Sequence, residues 1–210
     1  MTQELFYVFD ALGTVAFAMS GAFKAVRHRL DILGVLVLGF VTAMGGGIVR
    51  DALLHRTPVA FLTNGPAFYS LLGCVLAALW PFCAKPFKMP AELEADRTFL
   101  LMDAVGLAVF AVTGARLGAE SGLTLWSTVL LAALTGVGGG AIRDLLVLEV
   151  PLVLKADFYA TAALIGGITY AVLDGVAVPP ALTSLAAFAV TLILRVLAIY
   201  RGWHLPRLPY

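Results

Sequence analysis

Six charged residues stand in stretches otherwise too apolar to hold them: Asp10, Arg50, Asp51, Asp103, Arg143 and Asp144. Four belong to two copies of one motif, Gly45-Gly46-Gly47-Ile48-Val49-Arg50-Asp51 and Gly138-Gly139-Gly140-Ala141-Ile142-Arg143-Asp144. An ionisable side chain inside an apolar span is costly, so it pairs or lines a watery cavity. Three consecutive glycines have no side chains to pack, and each costs a helix interior about 1 kcal/mol relative to alanine. The sequence therefore predicts that both triplets break or kink their helices and free backbone carbonyls. Freed carbonyls can replace part of a cation's hydration shell. The alternative is close helix approach through small residues. Thr42 and Thr135, three residues before the triplets, would add hydroxyls.

The first apolar run adds a second pattern. Asp10, Thr14, Phe17, Gly21 and Lys24 fall at steps of three or four and share a helix face. Ser20 adjoins it. Asp103, Phe110, Thr113 and Gly114 repeat part of this stripe, while Leu107 and Leu117 stand where Thr14 and Lys24 stood. The pattern predicts a water-facing stripe, with Phe17 and Phe110 as candidates for a hydrophobic constriction. Asp10 lies about 9 Å from the start of the first helix and Arg50 about 6 Å from the end of the second. The depths agree, so Asp10 is expected to pair with Arg50, and Asp103 with Arg143, closing two mouths. Alternatively, each arginine pairs with the aspartate beside it or snorkels to headgroups. His28, His55 and His204 have no metal-ligand spacing and read as interfacial. Glu120, Glu149 and Asp174 read as loop or helix-end charges, and Cys74 and Cys83 as reduced helix residues. No Walker loop, nucleophile elbow or His/Glu metal motif occurs, so neither enzyme activity nor a cofactor is expected.

The elements that position these residues are apolar helices. The chain has 210 residues, 61% hydrophobic and 13% charged, against about 25% charged in an ordinary soluble domain. That composition defines an all-α integral membrane protein. The net charge of +1, with no basic tract, excludes nucleic-acid binding. The first run lacks a basic n-region and reads as a retained helix. Seven runs approach the roughly 20 residues a spanning helix needs: about 5–25, 32–54, 66–84, 98–117, 123–148, 158–173 and 181–200. Asn64 and Asp157 are candidate caps of the third and sixth.

The halves repeat. Subtracting 45 from 138 gives an offset of 93, which also aligns Asp10 with Asp103, Phe17 with Phe110, Gly21 with Gly114, Thr42 with Thr135 and Pro58 with Pro151. The chain divides into a first three-helix repeat at 1–84, a polar linker at 85–97, a second repeat at 98–174, and a seventh helix with a tail at 175–210. Three helices are an odd number, so consecutive copies enter a membrane from opposite sides, as an inverted repeat. Lys24, Arg27, Arg29, Lys85, Lys88, Arg97, Lys155, Arg201 and Arg207 fall on one side of seven spans. Positive residues favour the cytoplasm, which places the N-terminus outside.

Two three-helix repeats, each with Gly-Gly-Gly-x-x-Arg-Asp, plus a seventh helix resemble the prokaryotic trimeric intracellular cation (TRIC) channel family. The resemblance spans about residues 5–200. It implies a multi-pass plasma-membrane protein, surrounded by lipid, that forms a homotrimer with a K+- or Na+-conducting pathway in each subunit. It further implies a pathway lined by the first, second, fourth and fifth helices, with kinks at Gly45 to Gly47 and Gly138 to Gly140. Such ions would be transient near those glycines, with no fixed metal. The animal members carry a basic lipid-binding motif near the second kink, where this chain has Ala141-Ile142-Arg143-Asp144. Prokaryotic relatives also carry the description of glycine transporters, so a secondary transporter of a small amino acid such as glycine is the alternative.

Overall fold

The computed structural model describes residues 3–57, 62, 64–83, 91–155 and 158–203. Among them every regular element is helical: α1 (Gln3–Arg27), α2 (Ile32–Leu53), α3 (Asn64–Cys83), α4 (Ala91–Glu120), α5 (Leu125–Leu146), α6 (Leu152–Lys155), α7 (Ala160–Gly175) and α8 (Pro180–Arg201). Pro58, Lys85, Lys88, Asp157, His204 and Arg207, and the side chains of Asn64 and Cys83, lie outside the described residues.

Five segments are long and apolar enough to span: Phe6–Arg27, Ile32–Leu53, Arg97–Glu120, Leu125–Leu146 and Pro180–Arg201. The apolar parts of α3 and α7, Ala67–Leu79 and Ala160–Gly175, are shorter. At 1.5 Å per residue, sixteen residues reach about 24 Å, under the roughly 30 Å hydrocarbon core. α4 starts at Ala91, ahead of the expected Thr98. The run Ala91 to Asp96 contains two glutamates and two alanines, which favour helix as well as apolar residues do. α6 is a single turn that periodicity cannot register.

The repeat is written into the backbone. α2 and α5 share both boundaries at the 93-residue offset, 32 with 125 and 53 with 146, and α1 and α4 end in register at 27 and 120. Asp31 caps α2 by accepting from Gly34 N, and Thr124, at the same register, caps α5 by accepting from Ser127 N. His55 and Leu148, again in register, both adopt left-handed backbone, with φ of 52° and 57°.

α1 and α4 form the centre. Phe17 and Phe110 meet there with ring centroids 5.3 Å apart, both buried. Gly106 lies under the Phe17 ring, where no side chain would fit. α2 and α3 pack on α1, α5 and α7 on α4, and α8 covers α4 and α7. Leu12, Val37, Leu130, Leu134 and Ile193 face outward, as side chains facing hydrocarbon do.

Candidate functional site

The site begins where α2 crosses α5. Both helices stay regular through their glycine triplets, which corrects the expectation of an unwound turn. In regular winding the interior carbonyls accept from the next turn, so no row of carbonyls is released. The triplets instead bring two backbones into contact. A Cβ on Gly46 would overlap the Thr135 carbonyl oxygen, and one on Gly139 would overlap that of Thr42. These contacts exchange under the offset, 46 with 139 and 42 with 135, so a pseudo-two-fold axis passes between α2 and α5. Thr42 Oγ1 donates to Leu38 O and Thr135 Oγ1 to Leu131 O, both at 2.6 Å. Both threonines are fully buried, against Gly21 and Gly114 respectively.

A charged cluster lies beside the second triplet. Asp103 of α4 is wholly buried, and its Oδ1 meets Arg143 Nη1 of α5 at 2.6 Å. Ser20 of α1 joins them: its hydroxyl accepts from Arg143 Nη1 at 2.5 Å and donates to Asp103 Oδ1 at 3.4 Å. Arg143 Nε also donates to Asp144 Oδ1 at 2.9 Å, and Asp144 Oδ2 accepts from Leu152 N at 2.9 Å. One arginine thus makes both the expected cross-helix pair and the alternative neighbouring pair.

Lys24 extends the cluster outward. Its Nζ lies 3.5 Å from Asp144 and 2.8 Å from Glu149, whose other oxygen meets His28 Nε2 at 2.8 Å. The hydrogen bond from Lys24, then that from His28, draws the Glu149 carboxyl down to about 2 against the opposing effect of burial. The Phe99 ring lies under two cations, 4.8 Å from Arg143 Cζ and 5.5 Å from Lys24 Nζ. Arg195 of α8 stacks on the Tyr159 ring at 4.8 Å. Three cations, Lys24, Arg143 and Arg195, therefore balance three carboxylates, Asp103, Asp144 and Glu149.

The first repeat differs. Arg50 turns to Asp51, through Nε at 2.8 Å and Nη2 at 2.7 Å. Among the described residues, Asp10 and Arg50 do not form an ion pair, which corrects the expected pairing in the first repeat. The burials explain the difference. Asp103 is wholly buried and takes Arg143 as its counter-charge, whereas Asp10 is not fully enclosed by the bundle and has no such partner. The stripe on α1 also turns inward: Thr14, Phe17, Ser20 and Lys24 are buried, so it faces packed helices along most of its length. On α4, Thr113 is buried and donates to Val109 O at 3.0 Å.

The sequence reading anticipates the Asp103–Arg143 and Arg143–Asp144 contacts, and it puts Lys24 on the α1 stripe with Ser20 beside it without placing either in this cluster. It misses Glu149 and His28, which pair at the cluster's outer edge, and Phe99, Tyr159 and Arg195 within it. Arg195 carried the same signal as Asp10, an ionisable residue in an apolar run. Tyr159 carried none, since a lone tyrosine after a proline-bounded loop is ordinary interfacial sequence.

Long apolar helices, an internal three-helix repeat and a buried ion cluster define a polytopic helical membrane protein with a polar interior. A family model described as Glycine transporter matches residues 7–82 and 100–175, two segments that differ by the same offset, since 100 minus 7 and 175 minus 82 are both 93. The chain is 39% identical to the UPF0126 inner membrane protein YadS of Escherichia coli over 204 residues, covering 96% of this chain and 94% of YadS. It is 42% identical over 171 residues to the UPF0126 membrane protein YvgT of Bacillus subtilis, covering 80% and 79% of the two chains. The fold matches a prokaryotic TRIC channel crystallised in 0.5 M KCl with a TM-score of 0.86 at 33% identity, covering 96% and 99% of the chains. It matches a TRIC trimeric intracellular cation channel orthologue from Rhodobacter sphaeroides with a TM-score of 0.84 at 36% identity, covering 96% and 100%. The chain belongs to this family, that of the UPF0126 membrane proteins and the prokaryotic TRIC channels.

Proposed function

We propose that the protein is a passive cation channel, permeable to K+ and Na+, with one pathway inside each subunit of a homotrimer in the plasma membrane. The pathway runs among α1, α2, α4 and α5, and α2 and α5 bend at their glycine contacts when it opens. Seven helices span: α1, α2, α3, α4, α5, α7 and α8, with the N-terminus outside. Residues 1–84 and 98–174 are inverted halves joined through 85–97 and followed by 175–210. Asp10, Arg50 and Asp51 mark one mouth and Asp103, Arg143 and Asp144 the other. Phe17 and Phe110 form the central constriction. The observation that carries this reading is the likeness to solved TRIC channels over nearly the full chain, at TM-scores of 0.84 and 0.86.

The description of the family model as a glycine transporter supports a second reading, saturable transport of a small zwitterion. Inverted repeats serve both classes. Recording from the purified protein in a planar bilayer under a potassium gradient separates them. Discrete current steps reversing near the potassium equilibrium potential are expected. Silence, together with saturable uptake of labelled glycine into proteoliposomes, would replace the channel by the transporter.

A further inference from the structure

Where α4 and α7 end and α8 begins, an open cavity of about 270 Å³ lies between the three helices. Arg116, Ala119 and Glu120 line it from α4, Tyr170 and Asp174 from α7, and Pro180 from α8. Arg116 is held in place: it stacks on the Phe6 ring at 4.2 Å, and its Nε donates to Glu120 Oε1 at 2.6 Å. Among the described residues Asp174 joins no ion pair. One guanidinium thus faces two carboxylates, and the lining keeps a surplus negative charge. Glu120 and Asp174 sit in the last turns of α4 and α7. Both helices therefore turn the negative ends of their dipoles towards the cavity.

The cavity lies at headgroup level. Tyr7 and Trp126, in the first turns of α1 and α5 at this end of the bundle, are 65% and 72% exposed, as aromatic side chains at a membrane–water boundary are. Further along, α7 and α8 expose Val172, Leu182 and Leu185. A charged pocket at the boundary is thus followed by apolar surface on the same two helices.

These features select an occupant. The surplus carboxylate calls for a positive charge. Among the described residues no three His, Cys, Asp or Glu side chains converge to hold a metal ion, and a divalent cation takes six or more oxygens. A quaternary ammonium has no N–H to donate, and an anionic headgroup adds to the charge already in excess. A primary ammonium brings three donors, which suit the free oxygens of Asp174 and Glu120 and the Tyr170 hydroxyl. The guanidinium of Arg116 suits a phosphate beside that ammonium.

We propose that this cavity is a binding site for phosphatidylethanolamine, with the ammonium on Asp174 and Glu120, the phosphate beside Arg116, and the acyl chains along α7 and α8. The site belongs to the second repeat alone. At the 93-residue offset Arg116, Glu120, Tyr170 and Asp174 correspond to Phe23, Arg27, Ala77 and Pro81, which could not hold an ammonium. It is independent of whether the protein is a channel or a transporter.

Native mass spectrometry of the full chain in detergent, with equal amounts of dioleoyl phosphatidylethanolamine, phosphatidylcholine and phosphatidylglycerol, tests this. Phosphatidylethanolamine is expected to bind about fivefold more tightly than either other lipid, the value of one exposed charge pair. Asp174→Asn and Glu120→Gln should each remove most of that preference, and Arg27→Gln, the position in register with Glu120, should leave it unchanged. Asp174 is exposed at a helix end, so its variant is expected to fold. Soluble glycerophosphoethanolamine should displace the lipid only weakly. Equal binding of the three lipids, a preference that survives both carboxylate variants, or an equal loss in Arg27→Gln overturns the proposal. Displacement by the soluble headgroup at concentrations equal to the lipid's also overturns it, since the ligand would then be a free amine.

Discussion

The three glycines of the first triplet do different things, and alanine substitution separates them. Gly46→Ala places a methyl against the Thr135 carbonyl oxygen, well inside the 3.0 Å that real Cβ contacts respect. That oxygen belongs to the α5 backbone and cannot rotate away, so α2 and α5 must move apart. Overpacking of this kind costs about 1–3 kcal/mol. The gain from replacing glycine by alanine in a helix is about 1 kcal/mol. The net is a destabilisation of about 0–2 kcal/mol. Gly47→Ala meets only Arg50 Nη2 at 3.6 Å, an ordinary contact, and keeps the whole gain. The two variants should therefore differ by about 2 kcal/mol, with Gly47→Ala the more stable. At roughly 2–4 °C per kcal/mol for a chain of this size, the melting points should lie about 4–8 °C apart. Thermal unfolding in detergent, followed by the fluorescence of Trp80, Trp126 and Trp203, reads this. Gly139→Ala should behave as Gly46→Ala does, because the two contacts exchange across the pseudo-two-fold axis. Equal losses for Gly46→Ala and Gly47→Ala would refute the reasoning. They would mean that the triplet is needed for its backbone freedom and not for one close contact.

Arg143→Leu leaves Asp103 buried without its counter-charge and should cost about 3–5 kcal/mol, while adding Asp103→Leu should recover much of that loss; a double variant no better than the single one would count against the ion pair. Glu149 has a folded-state pKa depressed to about 2 from 4.5, so its bond to Lys24 stabilises the fold above about pH 4.5 and loses that effect as pH falls toward 2. Glu149→Gln should flatten the acid side of a melting-temperature profile over that window, and an unchanged profile would contradict the assignment. In planar-bilayer recordings Asp10→Asn and Arg50→Ala should change conductance or open probability more than Cys74→Ser, whose thiol lies 3.9 Å from Val35 O between α2 and α3. Equal indifference to all three would remove the first mouth from the pathway.

Much of the framework was readable in advance. The 93-residue offset came from charged and glycine positions, and the helix ends of α2 and α5 obey it. Asp103 and Arg143 could be paired from depth alone, because one rise per residue fixes how far each lies from its helix end. The continuous winding through the glycine triplets was missed for a definite reason. Composition shows that glycine disfavours helix, but not that a second helix carrying the same triplet will press against it. That contact joins residues 93 apart, and no local pattern encodes it. Asp10 and Arg50 failed to pair because equal depth leaves rotation about the helix axis open, and Arg50 reaches Asp51 beside it at 2.7 Å. Glu149 and Tyr159 sit at the ends of connections, where side-chain direction follows from tertiary packing and not from period.

The repeat is close to symmetric in backbone and unequal in charge, and the inequality determines what each end of the molecule can do. Both ends place a cation over a phenylalanine in register, Phe99 and Phe6. At Phe99 the cation is Lys24, bound to Glu149 and close to Asp144. At Phe6 it is Arg116, 4.2 Å from the ring and bound to Glu120 of its own helix. Lys24 therefore bridges α1 to the end of α5, while the Arg116–Glu120 pair lies within α4 and restrains no second helix. Separating the elements at the Lys24 end must break a bond between them, and separating them at the Arg116 end leaves that ion pair intact. Arg195 adds a further restraint from α8 at the Asp103 end only.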